Sequence, residues 1–566
     1  MWWRRVGCAA VLAVLVGGEA GATTQTAAPT PAPSRLAAVV LLARARARME
    51  AGAPREAEPL LQDALARAEA ADDQSTASLA EVALGRVAAM LANPAEADWF
   101  ARAEVRARAH GLARTLGFVE MLRGNGAYER GDDAAAAAAY RRALPHFEQA
   151  KADDELAGVY RGLAALAPPP EAIGLLERGL AVARRAGAAL PEGLLLHAFS
   201  DQLFVSGRWA EALERVREAL PLLERTPAVF DQARARISLA RLLRFHGDRA
   251  QSRVEYDRAD RLLAGVPRAI GLSTAWANLA VGYLYVSAPD RALTTAQRAI
   301  DIARASGNAR ERTLATATMV DALLVLGRPA EALERASDTP AVGPAARSFV
   351  VRRAYALSLT GQHGEAVRVA DEAEATEPGW MEAQPGNLAI LAEVRRRASQ
   401  TARALDHARA AVAVLETLRG QAAAADPLRV GFDDGFQWVH GRLIHLLAET
   451  GAHAEALLAS ERARARAFSE LLTGRSLAAT ESLPDWSAPE ALVDAARKRG
   501  DPVISYWTDD EGVLIWAVTP DGRVAHARVP VELEHLATLV TRTWNASEPL
   551  ADGGGRTSAY RELYKL

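Results

Sequence analysis

Apolar and small residues recur along this chain at helical spacing, in blocks that repeat. The phrase Gly207-Arg208-Trp209-Ala210-Glu211-Ala212-Leu213-Glu214 returns as Gly327-Arg328-Pro329-Ala330-Glu331-Ala332-Leu333-Glu334 and again as Gly451-Ala452-His453-Ala454-Glu455-Ala456-Leu457-Leu458. Each copy reads as a turn entering a helix, with an apolar helix upstream. The small residue five places after the glycine is followed by apolar or small residues four and seven places further on. That spacing draws one stripe along one helix face and predicts an array of helical hairpins.

The small residues Ala57, Ala97, Ala136, Ala172, Ala212, Ser252, Ala292, Ala332, Ala366, Ala404 and Ala456 mark about eleven units, mostly near 40 residues apart. They are expected where the second helix of a pair approaches the first closely. A Leu at Ala292 should overpack its pair by roughly 1–3 kcal/mol. Met90, Trp209 and Trp276 fall at helix positions that suit packing.

From Val503 the period shortens to that of strands: Val503–Trp507, Val513–Val518 and Val524–Val529, with Asp509-Asp510-Glu511-Gly512 and Pro520-Asp521-Gly522 between them. An antiparallel meander is the simplest arrangement. A helix is expected over 531–544, a Gly-rich loop over 551–557 and a further helix over 559–566. The predicted fold is mainly α, a helical-hairpin solenoid over 36–475 followed by a small, incomplete α/β segment over 490–566.

Composition agrees. The chain is 50% hydrophobic but only 6% aromatic, with Ala dominating the apolar runs. Ala has the highest helix propensity and lets helices pack closely. The 566 residues would otherwise imply three or four domains, whereas a repeat array lengthens without thickening its core. A formal net charge of −3 leaves no basic excess to track a phosphate backbone, so no nucleic-acid partner is expected. The run Arg395-Arg396-Arg397 reads as a solvated helix face.

The chain opens with Met1-Trp2-Trp3-Arg4-Arg5, an apolar run from Val6 to Gly18, and the small-x-small site Ala20-Gly21-Ala22. This is the layout of a secretory signal peptide, with cleavage expected after Ala22 and a periplasmic destination. The apolar run is too short to span a bilayer of roughly 30 Å, so no stable membrane span is expected after cleavage. Residues 23–35, rich in Thr, Ala and Pro, read as a disordered linker. Cys8 is the only cysteine and lies in the signal segment, so the mature chain would hold no disulfide, thiolate metal site or cysteine nucleophile.

The repeating units resemble tetratricopeptide repeats. The resemblance is carried by Leu279-Ala280, Tyr283, Ala292, Ala296 and Ala299, by Leu239-Ala240, Leu243, Gly247, Ser252, Tyr256 and Ala259, and by Gly361, Ala366, Ala370, Ala373 and Pro378. The segment from Ala411 to Arg419, Phe432 through Leu447, and Ser460-Glu461-Arg462-Ala463-Arg464-Ala465-Arg466-Ala467 is similar to the junction between such repeats and a CHAT domain. Pro502 to Tyr506, Ile515 to Gly522 and Tyr560 to Tyr564 are similar to the front part of that domain.

The first resemblance implies a scaffold that binds a protein or peptide ligand. The second implies a relative of caspase- and separase-like cysteine peptidases, in which a His beside Gly activates a Cys. Neither motif stands in this sequence, and no catalytic residue is carried over. Two readings stay open: an exported scaffold with an incomplete CHAT-like domain, or part of a CHAT peptidase whose His and Cys lie beyond residue 566. A repeat-type transcriptional regulator is disfavoured by the signal peptide.

The first helix of each pair supplies the groove in tetratricopeptide repeats. Spacing then nominates His197, Asp201 and Phe204, Arg241, Arg244 and Phe245, and Tyr285. The arginines would clamp a peptide carboxylate while Phe204 and Phe245 cover an apolar side chain. No cofactor is expected, and no metal site: His440 and His445 are five apart, off the helical i, i+4 spacing. His407, His445 and His453 read as ordinary helix residues.

Overall fold

The computed structural model describes residues 33–530, apart from 51–52, 92, 131, 267–270, 343–344, 376–383, 422–428, 474–489, 501 and 510–511. The expected signal segment 1–22 with Cys8, residues 23–32 of the expected linker, Ala92, Pro378 and the stretch 531–566 lie outside the described residues.

The helices run in pairs: α1 (Pro33–Glu50) with α2 (Pro54–Ala70), α3 (Gln74–Met90) with α4 (Glu96–Ala109), α5 (Ala113–Arg130) with α6 (Asp133–Gln149), and α7 (Asp153–Ala164) with α8 (Pro169–Ala186). There follow α9 (Ala189–Val205) with α10 (Trp209–Glu224), α11 (Val229–Phe245) with α12 (Arg249–Ala264), α13 (Leu272–Tyr285) with α14 (Pro289–Ala305), and α15 (Ala309–Val325). One compact unit comprises these elements up to Ala322, apart from Phe245–Gly247. The second unit holds α16 (Pro329–Ser337), then α17 (Ala346–Leu359) with α18 (His363–Ala375), α19 (Pro385–Arg397) with α20 (Thr401–Gln421), and α21 (Arg429–Glu449) with α22 (His453–Thr473). It closes with α23 (Glu490–Arg499) and strands β1 (Val503–Asp509), β2 (Gly512–Val518) and β3 (Val524–Val529). The chain is therefore mainly α, built of helical hairpins followed in sequence by a small sheet.

The recurring phrase is a helix-ending device. Gly207, Gly327 and Gly451 have φ of 72°, 69° and 80°, and the next residue's N–H bonds the carbonyl five places back, as in Arg208 to Leu203 at 2.9 Å. Only glycine adopts this left-handed conformation without strain. The following helix starts on a proline after Gly327, at Pro329, and on an aspartate cap after Gly247, where the Asp248 carboxylate accepts from Gln251 N at 2.9 Å.

Close helix approach explains the small residues. Ala57, Ala136, Ala172, Ala212, Ala292, Ala332, Ala366, Ala404 and Ala456 are wholly buried, and Ser252 sits beside them with its hydroxyl given to Ala240 O at 2.7 Å. Ala97 is the exception and is exposed. In α4 the stripe runs instead through Phe100, Ala103 and Ala107, and the Phe100 ring fits because Gly85 of α3 has no side chain. Trp209 and Trp276 are buried, whereas Met90, in the last turn of α3, is 43% exposed.

The run Arg395-Arg396-Arg397 is not a solvated face. Arg395 is fully buried and donates to Asp371 and Glu374 of α18, both at 2.6 Å, and to Gln400 at 3.1 Å. Arg396 and Arg397 turn back onto buried Glu393. The carboxylates that draw these side chains inward lie 21 and 24 residues upstream or on the preceding turn, where charge counting along the run does not look.

The sheet is an antiparallel meander in the order β1-β2-β3. Trp507, Leu514, Trp516 and Val518 alternate onto one face and pack with Leu446, Leu447, Ala456, Leu457 and Ala496. Ser505 ties β1 to α22 through Glu461 at 2.6 Å. The other face carries Ile504 and Tyr506 outward.

Candidate functional site

Successive first helices are stitched by buried polar pairs one repeat apart. Ser78 of α3 meets Thr115 of α5 at 2.9 Å, Arg114 of α5 gives Nη2 to Glu155 of α7 at 2.6 Å, and Thr274 of α13 reaches Glu311 of α15 at 3.3 Å. In the second unit Asn387 of α19 donates to Ser348 of α17 at 3.0 Å. Polar groups in an apolar helix interface must find partners, and the repeat length places those partners opposite.

The densest such cluster lies on α9 and α11. His197 Nε2 is 3.0 Å from Ser238 Oγ, and Ser238 gives its proton to Asp201 Oδ1 at 3.0 Å. Asp201 Oδ1 also accepts from Arg241 Nη2 at 2.8 Å, and Asp201 Oδ2 stands 3.5 Å from His197 Nε2. A serine hydroxyl has one proton, here committed to a carboxylate, so His197 Nε2 must be the donor to Ser238. Burial pushes His197 down to about 4, against the favourable charge of Asp201 and reinforced by Arg234, Arg241 and Arg161. The imidazole is neutral at pH 7 and its Nε2 is protonated, so it does not take a proton from Ser238. The trio is a structural lock and lacks the hydrogen-bond order of a nucleophile and base.

Two arginine–aromatic pairs adjoin this lock. The Arg241 guanidinium carbon lies 4.0 Å from the Phe204 ring centroid, and that of Arg244 lies 4.2 Å from the ring centroid of Tyr285 on α13. Tyr285 is 45% exposed, Phe204 is half-buried, and Arg244 is buried. Guanidinium on an aromatic face is attractive by about 0.5–2 kcal/mol and fixes the orientation of the planar fork.

Four of the seven nominated groove residues, His197, Asp201, Arg241 and Phe204, thus meet on α9 and α11, and Arg244 and Tyr285 form a separate pair between α11 and α13. The seventh, Phe245, is buried. Arg241 is not an open clamp, because Asp201 already accepts from it. Spacing missed Ser238, which holds His197 and Asp201 together, and Arg161 and Arg234, whose charges act on His197. Ser238 was findable: it is a small polar residue inside the apolar run Ile237-Ser238-Leu239, one repeat beyond Asp201.

No family model matches the chain, and no curated protein matches it in sequence. Among solved structures it is similar to a Rap protein complexed with Competence and Sporulation Factor, at 14% identity over 64% of this chain and 100% of that one, with a TM-score of 0.40. It is also similar to a STAND-type signal transduction ATPase with a tetratricopeptide repeat sensor from Pyrococcus horikoshii, at 14% identity over 64% of this chain and 55% of that one, TM-score 0.43. A third similarity is to the apo form of RapI, at 12% identity over 68% of this chain and 98% of that one, TM-score 0.37. Likeness at this level does not extend to ligand or activity. Among the described residues no helix is long and apolar enough to cross a membrane, and no group of three or more His, Cys, Asp or Glu side chains is placed to hold a metal ion.

Proposed function

We propose that this chain is an exported, periplasmic repeat scaffold that binds an extended peptide or partner segment across α9, α11 and α13, joined to the front part of a CHAT-like domain without catalytic residues. The observation that carries the reading is the pair of arginines one turn apart on α11, Arg241 stacked on Phe204 of α9 and Arg244 on Tyr285 of α13. The stacked guanidiniums fix the half-exposed Phe204 and Tyr285 rings as apolar contacts for a ligand side chain, with Arg241 itself held by Asp201. The signal layout of the first 22 residues supports export.

Peptide phage display against the purified mature chain tests the binding reading. Selected peptides should lose about tenfold or more in affinity with Tyr285→Ala and with Arg241→Gln, and bind Arg208→Gln, whose guanidinium pairs with Glu211 on α10, as they bind the parent. Selection of no peptide, or peptides indifferent to both groove changes, would sink it. Export is checked by cell fractionation and mass of the mature amino terminus, which should begin at Thr23. An intact Met1 in the cytoplasmic fraction would count against it.

A second reading is a CHAT cysteine peptidase whose His and Cys lie beyond residue 566. It is supported by the likeness of Pro502 to Tyr506 and Ile515 to Gly522 to that domain's opening strands, which coincide with β1 and β2. Sequencing the source DNA past the Leu566 codon decides it: a continuation into His-Gly and a later Cys favours the peptidase, and an immediate stop codon removes it.

A further inference from the structure

Of the three glycines in α5, two are explained by packing. A Cβ on Gly117 would meet the Phe147 ring at 2.7 Å, and one on Gly124 would meet the Tyr140 ring at 2.7 Å. A Cβ on Gly126 would come close to no ring. Its neighbours would be two charged side-chain ends, Arg130 Nη1 at 3.3 Å and Glu96 Oε1 at 3.9 Å. Glycine inside a helix costs about 0.5–1 kcal/mol relative to alanine, and at Gly126 no packed aromatic offsets that cost.

The bare backbone at Gly126 borders a cavity of about 310 Å³ between α4 and α5. Pro94, Ala97 and Phe100 give it an apolar wall, and Glu96, Arg123 and Arg130 give it charge. Arg123 is committed, donating Nη1 to Glu120 at 3.1 Å and Nη2 to Glu104 at 2.7 Å. Glu96 and Arg130 differ from it. Neither side chain has a hydrogen-bond or ion-pair partner among the described residues, and the two do not pair with each other although their charged ends lie within about 7 Å. Helix dipoles favour an acid in the first turn of α4 and a base in the last turn of α5. They do not account for the two converging over a residue without a side chain, beside an apolar wall.

We propose that this cavity binds a free α-amino acid with an apolar side chain. Glu96 accepts from the α-ammonium, Arg130 donates to the α-carboxylate, and the ligand side chain lies against Pro94, Ala97 and Phe100. The charges select the class: an anion alone is repelled by Glu96, a cation alone is repelled by Arg130, and a zwitterion whose two charges are one carbon apart meets both. The volume lies at the low end of small-molecule sites, roughly 300–1,000 Å³. Gly126 lets the ligand approach the α5 backbone. The site is distinct from the peptide groove on α9, α11 and α13 and does not rest on it.

Isothermal titration of the full mature chain with L-alanine, L-leucine and L-phenylalanine tests this. Saturable binding of one equivalent is expected for at least one of them. The N-acetyl and carboxamide derivatives of that amino acid each lack one of the two charges and should bind about tenfold or more weakly. Glu96→Gln and Arg130→Gln should each weaken binding to a similar extent, with melting temperatures close to that of the parent because neither side chain has a partner to lose. Arg67→Gln, on α2 and paired with Asp63, should bind as the parent does. Absence of saturation by all three amino acids, derivatives that bind as well as the amino acid itself, or binding unchanged in either charge variant overturns the proposal.

Discussion

Ser238 Oγ and His197 Nε2 stand 3.0 Å apart although 41 residues separate them, one repeat of the array. The bond ties α9 to α11 through an imidazole buried in its neutral form. Burial lowers its pKa to about 4, below the unfolded value near 6.5. The unfolded chain then binds more protons than the folded one between those values, so stability falls as pH drops from about 6.5 to about 4, by on the order of 3 kcal/mol in all. Urea unfolding measured across that window should show the slope. His197→Gln, which retains an N–H donor for Ser238, should flatten it, and equal slopes in parent and variant would contradict the assignment.

Gly117 and Gly158 should respond to Ala in opposite directions. A Cβ at Gly117 of α5 would meet the buried Phe147 ring at 2.7 Å, so Gly117→Ala is expected to destabilise by about 1–3 kcal/mol. A Cβ at Gly158, inside α7, meets nothing within 4 Å, and Gly158→Ala should stabilise by about 0.5–1 kcal/mol through helix propensity alone. Thermal denaturation of the two variants checks the contrast.

Arg395 is the buried pin of the α18–α20 region. It holds Asp371 and Glu374, and His407 Nε2 stands 3.3 Å from Glu374 Oε1. Burial alone would raise the Glu374 carboxyl, but the hydrogen bonds from His407 and Arg395 hold it at about 2. Arg395→Met removes the pin and leaves the carboxylates facing one another, with an expected loss of about 3–5 kcal/mol. In the parent the Glu374 contribution is present above pH about 4.5 and lost as pH falls toward 2. Denaturant midpoints of parent and variant at pH 7 and pH 3 should converge toward the acidic value, and a gap that is unchanged at pH 3 would refute the account.

Ala292 is wholly buried between α14 and its neighbours. Ala292→Leu should lower stability by roughly 1–3 kcal/mol, whereas Ala97→Leu, at an exposed position of α4, should stay within about 0.5 kcal/mol of the parent. Comparable losses at both sites would show that the stripe in α4 has been wrongly traced.

What the sequence determined was local and periodic. Turn glycines recur because glycine closes a hairpin at positive φ without strain, although Asp72, Lys151, Ser287 and Ser399 close others at φ of 50–58°, and buried alanines recur because close helix pairs admit nothing larger, so both leave marks at fixed intervals that can be read without coordinates. The meander was legible for the same reason, in the alternation of Trp507, Leu514, Trp516 and Val518 with outward residues. Tertiary structure alone decided which polar residue meets which. Ser238 with His197, Arg395 with Asp371 and Glu374, and Arg442 with Glu393 join residues 21 to 49 apart. It also placed the Phe245 ring inside and left Ala97 and Met90 outside. Side-chain pairing across helices depends on the rotation and tilt of each helix against its neighbours, and a shift of one residue around a helix turns a side chain by about 100°. Periodicity fixes the face to within a stripe, and only the packed neighbours fix the partner.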